Sequence, residues 1–160
     1  MTTGKERHYL DACVLLAFLN QVAEPERYQE CLPVMKASER GEINAFTSTL
    51  SLSEVIFLKG IDNENIQEEI IETFFRSPWL TMIAYEPEVA LISRRIARKY
   101  RTKPMDSNHL ASALKVQAKV FHTIDERLIK NLEGAISLEP EFSEPMVVQR
   151  PTGFQIELGL

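Results

Sequence analysis

The segment His8-Tyr9-Leu10-Asp11-Ala12-Cys13-Val14-Leu15-Leu16-Ala17-Phe18-Leu19-Asn20 decides the reading of this chain. Arg7 to Leu10 has a short β-like pattern that stops at an aspartate. Ala12 to Leu19 is then apolar on every side, which fits a short buried helix rather than a surface one. A strand that ends on an acid and hands over to a buried helix is the unit of an α/β domain. The same grammar returns further along the chain.

Glu24-Pro25 opens a second helix, with Pro25 in the first turn, and Gly41 stops it. Ile43 to Thr49 reads as a strand. Ser51-Leu52-Ser53-Glu54 starts a helix expected to end near Gly60. Asn63 begins another, with Ile66, Ile70, Ile71, Phe74 and Phe75 at helical spacing. Leu80 to Tyr85 is a strand, and Pro87 opens a helix with Val89, Ile92, Ile96 and Tyr100 on one face. Asp106 is expected to cap the next helix. Lys119 to Ile124 is a strand, Asp125 starts a short helix ended by Gly134, and Ala135 to Leu138 is a last short strand. Strands separated by helices of this length pair in parallel through right-handed crossovers. The fold class expected is therefore α/β, a three-layer α/β/α sandwich with a central, mainly parallel sheet. Residues 1–139 form the expected domain. Residues 140–160 hold three of the eight prolines and read as a tail. Within it Phe154, Ile156 and Leu158 alternate with polar residues, as in one extra edge strand or a segment that pairs with another chain.

The 160 residues suit one domain, and 44% hydrophobic with 26% charged residues supports a core without staples. Cys13 and Cys31 match no metal-ligand spacing and read as buried thiols. Neither a signal peptide nor a membrane span is legible, so the expected location is the cytoplasm. The net charge of −5 excludes strong nonspecific nucleic-acid binding by the surface as a whole. A nucleic-acid function here needs metal ions, a local basic patch, or both.

Four acids carry the chemistry. Asp11, Asp106 and Asp125 each sit where a strand or loop meets a helix, and Glu54 lies just beyond a strand. Each has a plain alternative, because Asp is a favoured N-cap and Ser51–Glu54 fits a capping box. Their common location argues for more. In a parallel sheet the strand C-termini and the following helix N-termini share one edge, where ligands bind. Carboxylates gathered there repel one another unless a cation neutralises them. Mg2+ or Mn2+ prefers such oxygen ligands, activates water and stabilises charge on phosphate.

These stretches resemble the PIN-domain family. His8 to Asn20 is similar to its first strand and helix, with Asp11 as first acid. Thr47-Ser-Thr-Leu-Ser-Leu-Ser-Glu-Val55 resembles its second motif, with Glu54. Pro104-Met-Asp-Ser-Asn-His-Leu-Ala-Ser-Ala-Leu114 is close to the third, with Asp106. Phe121-His-Thr-Ile-Asp-Glu-Arg-Leu128 looks like the fourth, with Thr123 and Asp125. The likeness runs from about His8 to Leu138. It implies a metal-dependent ribonuclease related to the VapC-like toxins of toxin–antitoxin modules. Such toxins usually form dimers and are inhibited by a small antitoxin. It further implies that Asp11, Glu54, Asp106 and Asp125 are catalytic and hold Mg2+ (or Mn2+), with Thr123 positioning the site. This chain departs from the family pattern at Ala12-Cys13, at Ser107-Asn108 and in its longer tail.

Arg94, Arg95, Arg98, Lys99, Arg101 and Lys103 lie within ten residues just before Asp106. They read either as a solvated helix face with cations near its C-terminus or as a nucleic-acid-binding patch. His109 and His122 read as packing or hydrogen-bonded residues, and Trp79 as an anchor. The alternative to a nuclease is a non-catalytic, protein-binding PIN-like module with a degenerate site. A receiver- or phosphatase-like phosphoryl-transfer domain ranks below both, because no convincing lysine accompanies the acids.

Overall fold

The computed structural model describes residues 4–154. Six strands form one sheet, in the order β3-β2-β1-β4-β6-β5. The strands are β1 (Arg7–Leu10), β2 (Asn44–Ser48), β3 (Leu80–Ile83), β4 (Val120–His122), β5 (Ala135–Leu138) and β6 (Phe142–Gln149). All neighbours pair in parallel except β5 with β6. The helices are α1 (Ala12–Leu19), α2 (Pro25–Glu39), α3 (Leu50–Glu54), α4 (Glu64–Phe75), α5 (Pro87–Tyr100), α6 (Pro104–Lys115) and α7 (Glu126–Leu132). Successive residues of a strand face opposite sides, and β1 shows the result. Leu10 joins one core with Val14, Leu15, Cys31 and Met35. Tyr9 joins the other with Ile96, Leu110 and Phe121. The sheet is thus covered on both faces, as the three-layer expectation required.

The order of the strands fixes where chemistry belongs. From β1 the chain moves outward to β2 and β3, then returns to the other side of β1 as β4. The topological switch falls at the C-terminal end of β1, where a crevice opens. Asp11 is the first residue past that end.

Two elements differ from expectation. The helix from residue 50 stops at Glu54 instead of continuing to Gly60. Side chains from neighbouring elements satisfy the loop that follows. Gln67 Oε1 accepts from the Leu58 amide at 2.7 Å, and Asn20 Oδ1 accepts from the Lys59 amide at 2.8 Å. The backbone therefore has partners outside a helix. Secondly, residues 142–149, placed by the sequence in a tail beyond a domain ending at 139, form β6 in the interior of the sheet. They separate β4 from β5, so β5 is the edge strand. Pro145 precedes the doubly paired stretch, where Val147, Val148 and Gln149 align with β4, so its missing N–H interrupts no pairing there. The alternating segment beyond Phe154 lies outside the described residues.

Arg150 fastens the end of β6. Its Nε and Nη2 donate to the two Glu30 carboxylate oxygens at 2.6 and 2.8 Å, and Nη1 donates to Glu126 Oε1 and to the Ile124 carbonyl. Bidentate, charge-assisted pairs of this kind are strong. Arg150→Ala leaves Glu30 half-covered without a counter-charge, and an expected loss of about 1–2 kcal/mol can be read from urea unfolding. An unchanged midpoint contradicts the clamp.

Beside it lies a buried histidine pair. His122 Nε2 and His8 Nδ1 are 2.8 Å apart, and His8 Nε2 lies 3.0 Å from Glu6 Oε2. Glu6 accepts only, so His8 Nε2 carries its hydrogen, its Nδ1 accepts, and His122 Nε2 donates. The remaining His122 nitrogen, Nδ1, has no hydrogen-bond partner among the described residues. Phe154 packs edge-on against both rings. Both cysteines are free thiols, and Trp79 packs on the α1 side of the sheet against Phe74, as an anchor should. Among the described residues no helix is long and apolar enough to cross a membrane.

Candidate active site

Asp11 ends β1 and caps α1. Its Oδ1 accepts from the Ala12 amide at 2.8 Å, and Oδ2 accepts from Thr123 Oγ1 at 2.9 Å. Thr123 follows β4, whose register beside β1 brings it there, and its own oxygen accepts from the Asp125 amide at 3.2 Å. Cys13 Sγ lies 3.4 Å from both Asp11 Oδ2 and Thr123 Oγ1. The thiol thus occupies the neighbourhood of the acid. Burial, then the charge of Asp11, push its pKa up, which makes it a neutral contact rather than a nucleophile.

The capping alternative separates the four acids. Asp125 fulfils it, since Oδ1 accepts from the Arg127 and Leu128 amides at 3.0 and 3.2 Å. Asp11 fulfils it with one oxygen only. Asp106 does not cap α6 as expected: Lys103 is the N-cap, Pro104 opens the helix, and Asp106 lies inside the first turn. Proline's fixed φ makes it a good opening residue, which moves the helix start three residues earlier. Glu54 is the last residue of α3, and the capping box with Ser51 is not formed. Ser51 Oγ pairs with Thr47 Oγ1 at 2.7 Å, while Glu54 Oε1 lies 2.5 Å from His109 Nε2.

The charges of the four acids bear on two of them, Asp11 and Asp106. Burial raises the pKa of Asp11, and the charge of Glu54 raises it further, against the pull of His109, Thr123 and Cys13. Burial also raises Asp106, followed by the charges of Asp11 and Asp125, with His109 and Lys103 opposing. Asp11 therefore feels Glu54, and Asp106 feels Asp11 and Asp125. His109 sits among them. Burial disfavours its cation, but the Glu54 hydrogen bond and the charges of Asp11, Glu54 and Asp106 prevail and lift its pKa above the ordinary value. The imidazole is buried, and Tyr9 Oη lies 2.6 Å from its Nδ1. In sequence His109 reads as a packing or hydrogen-bonded residue, and the hydrogen-bonded reading holds. Its position three residues after Asp106 was the available signal, since that spacing shares a helix face.

Among the described residues no three His, Cys, Asp or Glu side chains stand close enough together to enclose one ion. The donor set is nevertheless all carboxylate oxygen, the kind hard divalent cations choose. Mg2+ commonly takes one or two carboxylates directly and keeps its waters, so the residues fit such an ion.

The basic segment divides. Arg95 donates to Glu141 Oε2 at 2.9 Å and to the Glu139 carbonyl at 2.6 Å, and Lys99 donates to the Ser137 carbonyl at 2.8 Å. These two are tied to β5 and the turn after it. Arg94, Arg98, Arg101 and Lys103 are exposed. Lys103 is the one whose charge reaches Asp106.

A family model described as PIN domain matches residues 8–133. The chain belongs to the PIN-domain family. All four acids fall inside the matched stretch. No curated protein matches. Among solved structures, this PIN domain is similar to VapBC2 from Rickettsia felis bound to a promoter DNA fragment, at 9% identity, TM-score 0.63, covering 90% of this chain and 98% of that one. It is similar to DNA-bound VapBC from Salmonella typhimurium at 14% identity, TM-score 0.60, with 91% and 98% covered. A toxin–antitoxin complex from Klebsiella pneumoniae gives 16% identity, TM-score 0.58, with 90% and 97% covered. At these identities the likeness establishes the shared fold.

Proposed function

We propose that this PIN domain is a Mg2+- or Mn2+-dependent endoribonuclease that hydrolyses RNA phosphodiester bonds, the toxin of a toxin–antitoxin pair. The observation that carries the reading is that Asp11, at the sheet's switch point, feels the charge of Glu54, and Asp106 feels those of Asp11 and Asp125. A divalent ion supplies activated water and charge neutralisation at the phosphate when bound. Asp11 and Asp106 would hold it, with Glu54 and Asp125 reaching it directly or through water. Thr123 keeps Asp11 in its rotamer from across the sheet. Lys103, whose charge reaches Asp106, and the exposed Arg98 and Arg101 that precede it in the chain would supply the positive charge that a chain of net charge −5 needs to hold a polyanion.

The partner reading draws on the structural neighbours, which are toxin–antitoxin complexes. Exposed Leu52, Ile56 and Phe57 flank Glu54, an apolar surface of the kind partners cover. A small antitoxin is the occupant proposed, and a homodimer the assembly.

The test is RNA cleavage by the purified chain in Mg2+, in Mn2+ and in chelator. Cleavage in either metal that chelator abolishes is expected, and no cleavage in both metals removes the enzyme reading. A non-catalytic module is the second reading, favoured by the Asp125 carboxylate being occupied by its own helix amides. It gives a stable protein complex with no cleavage.

The basic approach has its own measurement. Replacing Arg101 and Lys103 by alanine should weaken single-stranded RNA binding and make its log–log salt dependence shallower by about 1.4. Arg95→Ala should leave that slope unchanged. Equal slopes for all variants contradict the patch.

A further inference from the structure

We propose that His109 is a positioning residue for Glu54, with Tyr9 as its brace; the inference rests on the metal-site reading above. Glu54 is poorly held by its own element. It ends a five-residue helix, its side chain is 26% exposed, and the loop after it carries exposed Ile56 and Phe57. A glutamate with three free side-chain torsions on such a support has no fixed direction. What fixes it comes from elsewhere in the fold.

His109 is buried in α6, and Tyr9 is buried in the central strand β1, stacked on Phe121 with ring centroids 5.1 Å apart and planes at 7°. The line of contacts runs from Tyr9 Oη to His109 Nδ1 at 2.6 Å, then from His109 Nε2 to Glu54 Oε1 at 2.5 Å. It joins β1, α6 and the end of α3, which lie far apart in the chain. In neutral His109 the phenol donates to Nδ1, and the ring hydrogen sits on Nε2. In charged His109 both nitrogens carry hydrogen. The Nε2–H is aimed at Glu54 Oε1 in either state. One carboxylate oxygen is thereby held against the scaffold, and Oε2 is left for the pocket. Hydrogen bonds that orient a ligating carboxylate set metal affinity, and losing one costs about 10-fold or more.

The experiment is Mn2+ binding to the full chain by calorimetric titration, for wild type, His109→Leu, His109→Gln, Tyr9→Phe and Glu54→Gln, with His109→Leu and Tyr9→Phe also combined with Glu54→Gln. Thermal unfolding in chelator checks that each variant folds. His109→Leu should weaken Mn2+ binding about 10-fold. His109→Gln, whose amide can donate to Glu54, should recover most of that loss. Tyr9→Phe keeps the ring and its stacking and should cause a smaller loss. In the Glu54→Gln background neither His109→Leu nor Tyr9→Phe should change affinity further, whereas a merely structural histidine would cost the same in both backgrounds. Equal losses in both backgrounds, or no loss at all, overturn the positioning role while leaving the metal site standing. Should His109→Leu not fold, Tyr9→Phe decides by the same comparison. A wild-type chain that binds no Mn2+ overturns the metal-site reading and this inference together.

Discussion

Asp106→Asn is expected to abolish metal-dependent RNA cleavage and, in chelator at neutral pH, to melt above the wild-type protein. Both results come from one feature, since Asp106 lies between the charges of Asp11 and Asp125 and makes no capping bond that its loss would break. The folded-state pKa of Asp106 is raised, by burial first and then by those neighbours. The folded chain therefore holds this proton more tightly than the unfolded chain does. By linkage, the site is stabilising at pH below the unfolded carboxylate value, and that contribution is lost as pH rises through the folded value. At neutral pH the ionised Asp106 is a cost, and an uncharged amide of nearly the same shape removes it. A rise in thermal midpoint of about 2 °C is the expected scale. Loss of activity should be about 100-fold or more, as for deletion of a charge-stabilising group in other active sites. Saturating Mg2+ should reverse the order of stability, because only the wild type retains the full charge set. A variant that cuts RNA like wild type removes Asp106 from the site. One that melts lower in chelator refutes the repulsion.

The second large effect is acid sensitivity centred on His122. Burial, then the charge of His8, depress its pKa to about 3, against about 6.5 in an unfolded chain. Between these two values the unfolded state binds a proton that the folded state refuses. Stability is therefore full above about pH 6.5 and falls as pH drops toward the folded value. Descending from pH 6.5 to pH 5 spans about 1.5 pH units, or roughly 2 kcal/mol for this one group. His8 adds in the same direction, since burial lowers it too. In structural terms, a proton arriving at His122 Nδ1 finds no acceptor among the described residues. Urea unfolding at pH 7.5, 6 and 5 measures the slope, and His122→Gln should flatten it whatever it does to absolute stability. An unchanged slope assigns the acid sensitivity elsewhere.

The parts of this architecture written locally were the legible ones. The strand Arg7–Leu10 and the helix Ala12–Leu19 occur where the pattern put them, because a β-like run, an N-cap acid and an all-apolar helix each act within a few residues. α3 was overestimated because what ends it is distant: the Asn20 and Gln67 side chains that satisfy its following loop. β6 was hidden by Pro145, which reads as a strand breaker until the register shows that the stretch paired to β4 begins after it. In the site, the four acids and Thr123 could be named from motif order. Asp11 and Thr123 do touch, while Asp106 turned out to lie inside its helix rather than at the cap. His109 carried no contact information in the sequence, since its partners Tyr9 and Glu54 are brought to it by two other elements. Half of the basic segment's meaning was equally nonlocal, because Arg95 and Lys99 are claimed by the β5 region.

The insertion of β6 beside β4 gives this protein an order of assembly. The Thr123 amide donates to the Gln149 carbonyl at 3.0 Å, so the residue that steadies Asp11 is itself registered by a strand from beyond β5 in the chain. A nascent chain can lay down β1 to β4 early, but β4 waits with an open flank until residues 142–149 arrive, a long-range pairing of the slow kind. A chain shortened before residue 142 would carry Asp11, Glu54, Asp106 and Asp125 but lack the strand that registers Thr123 beside Asp11.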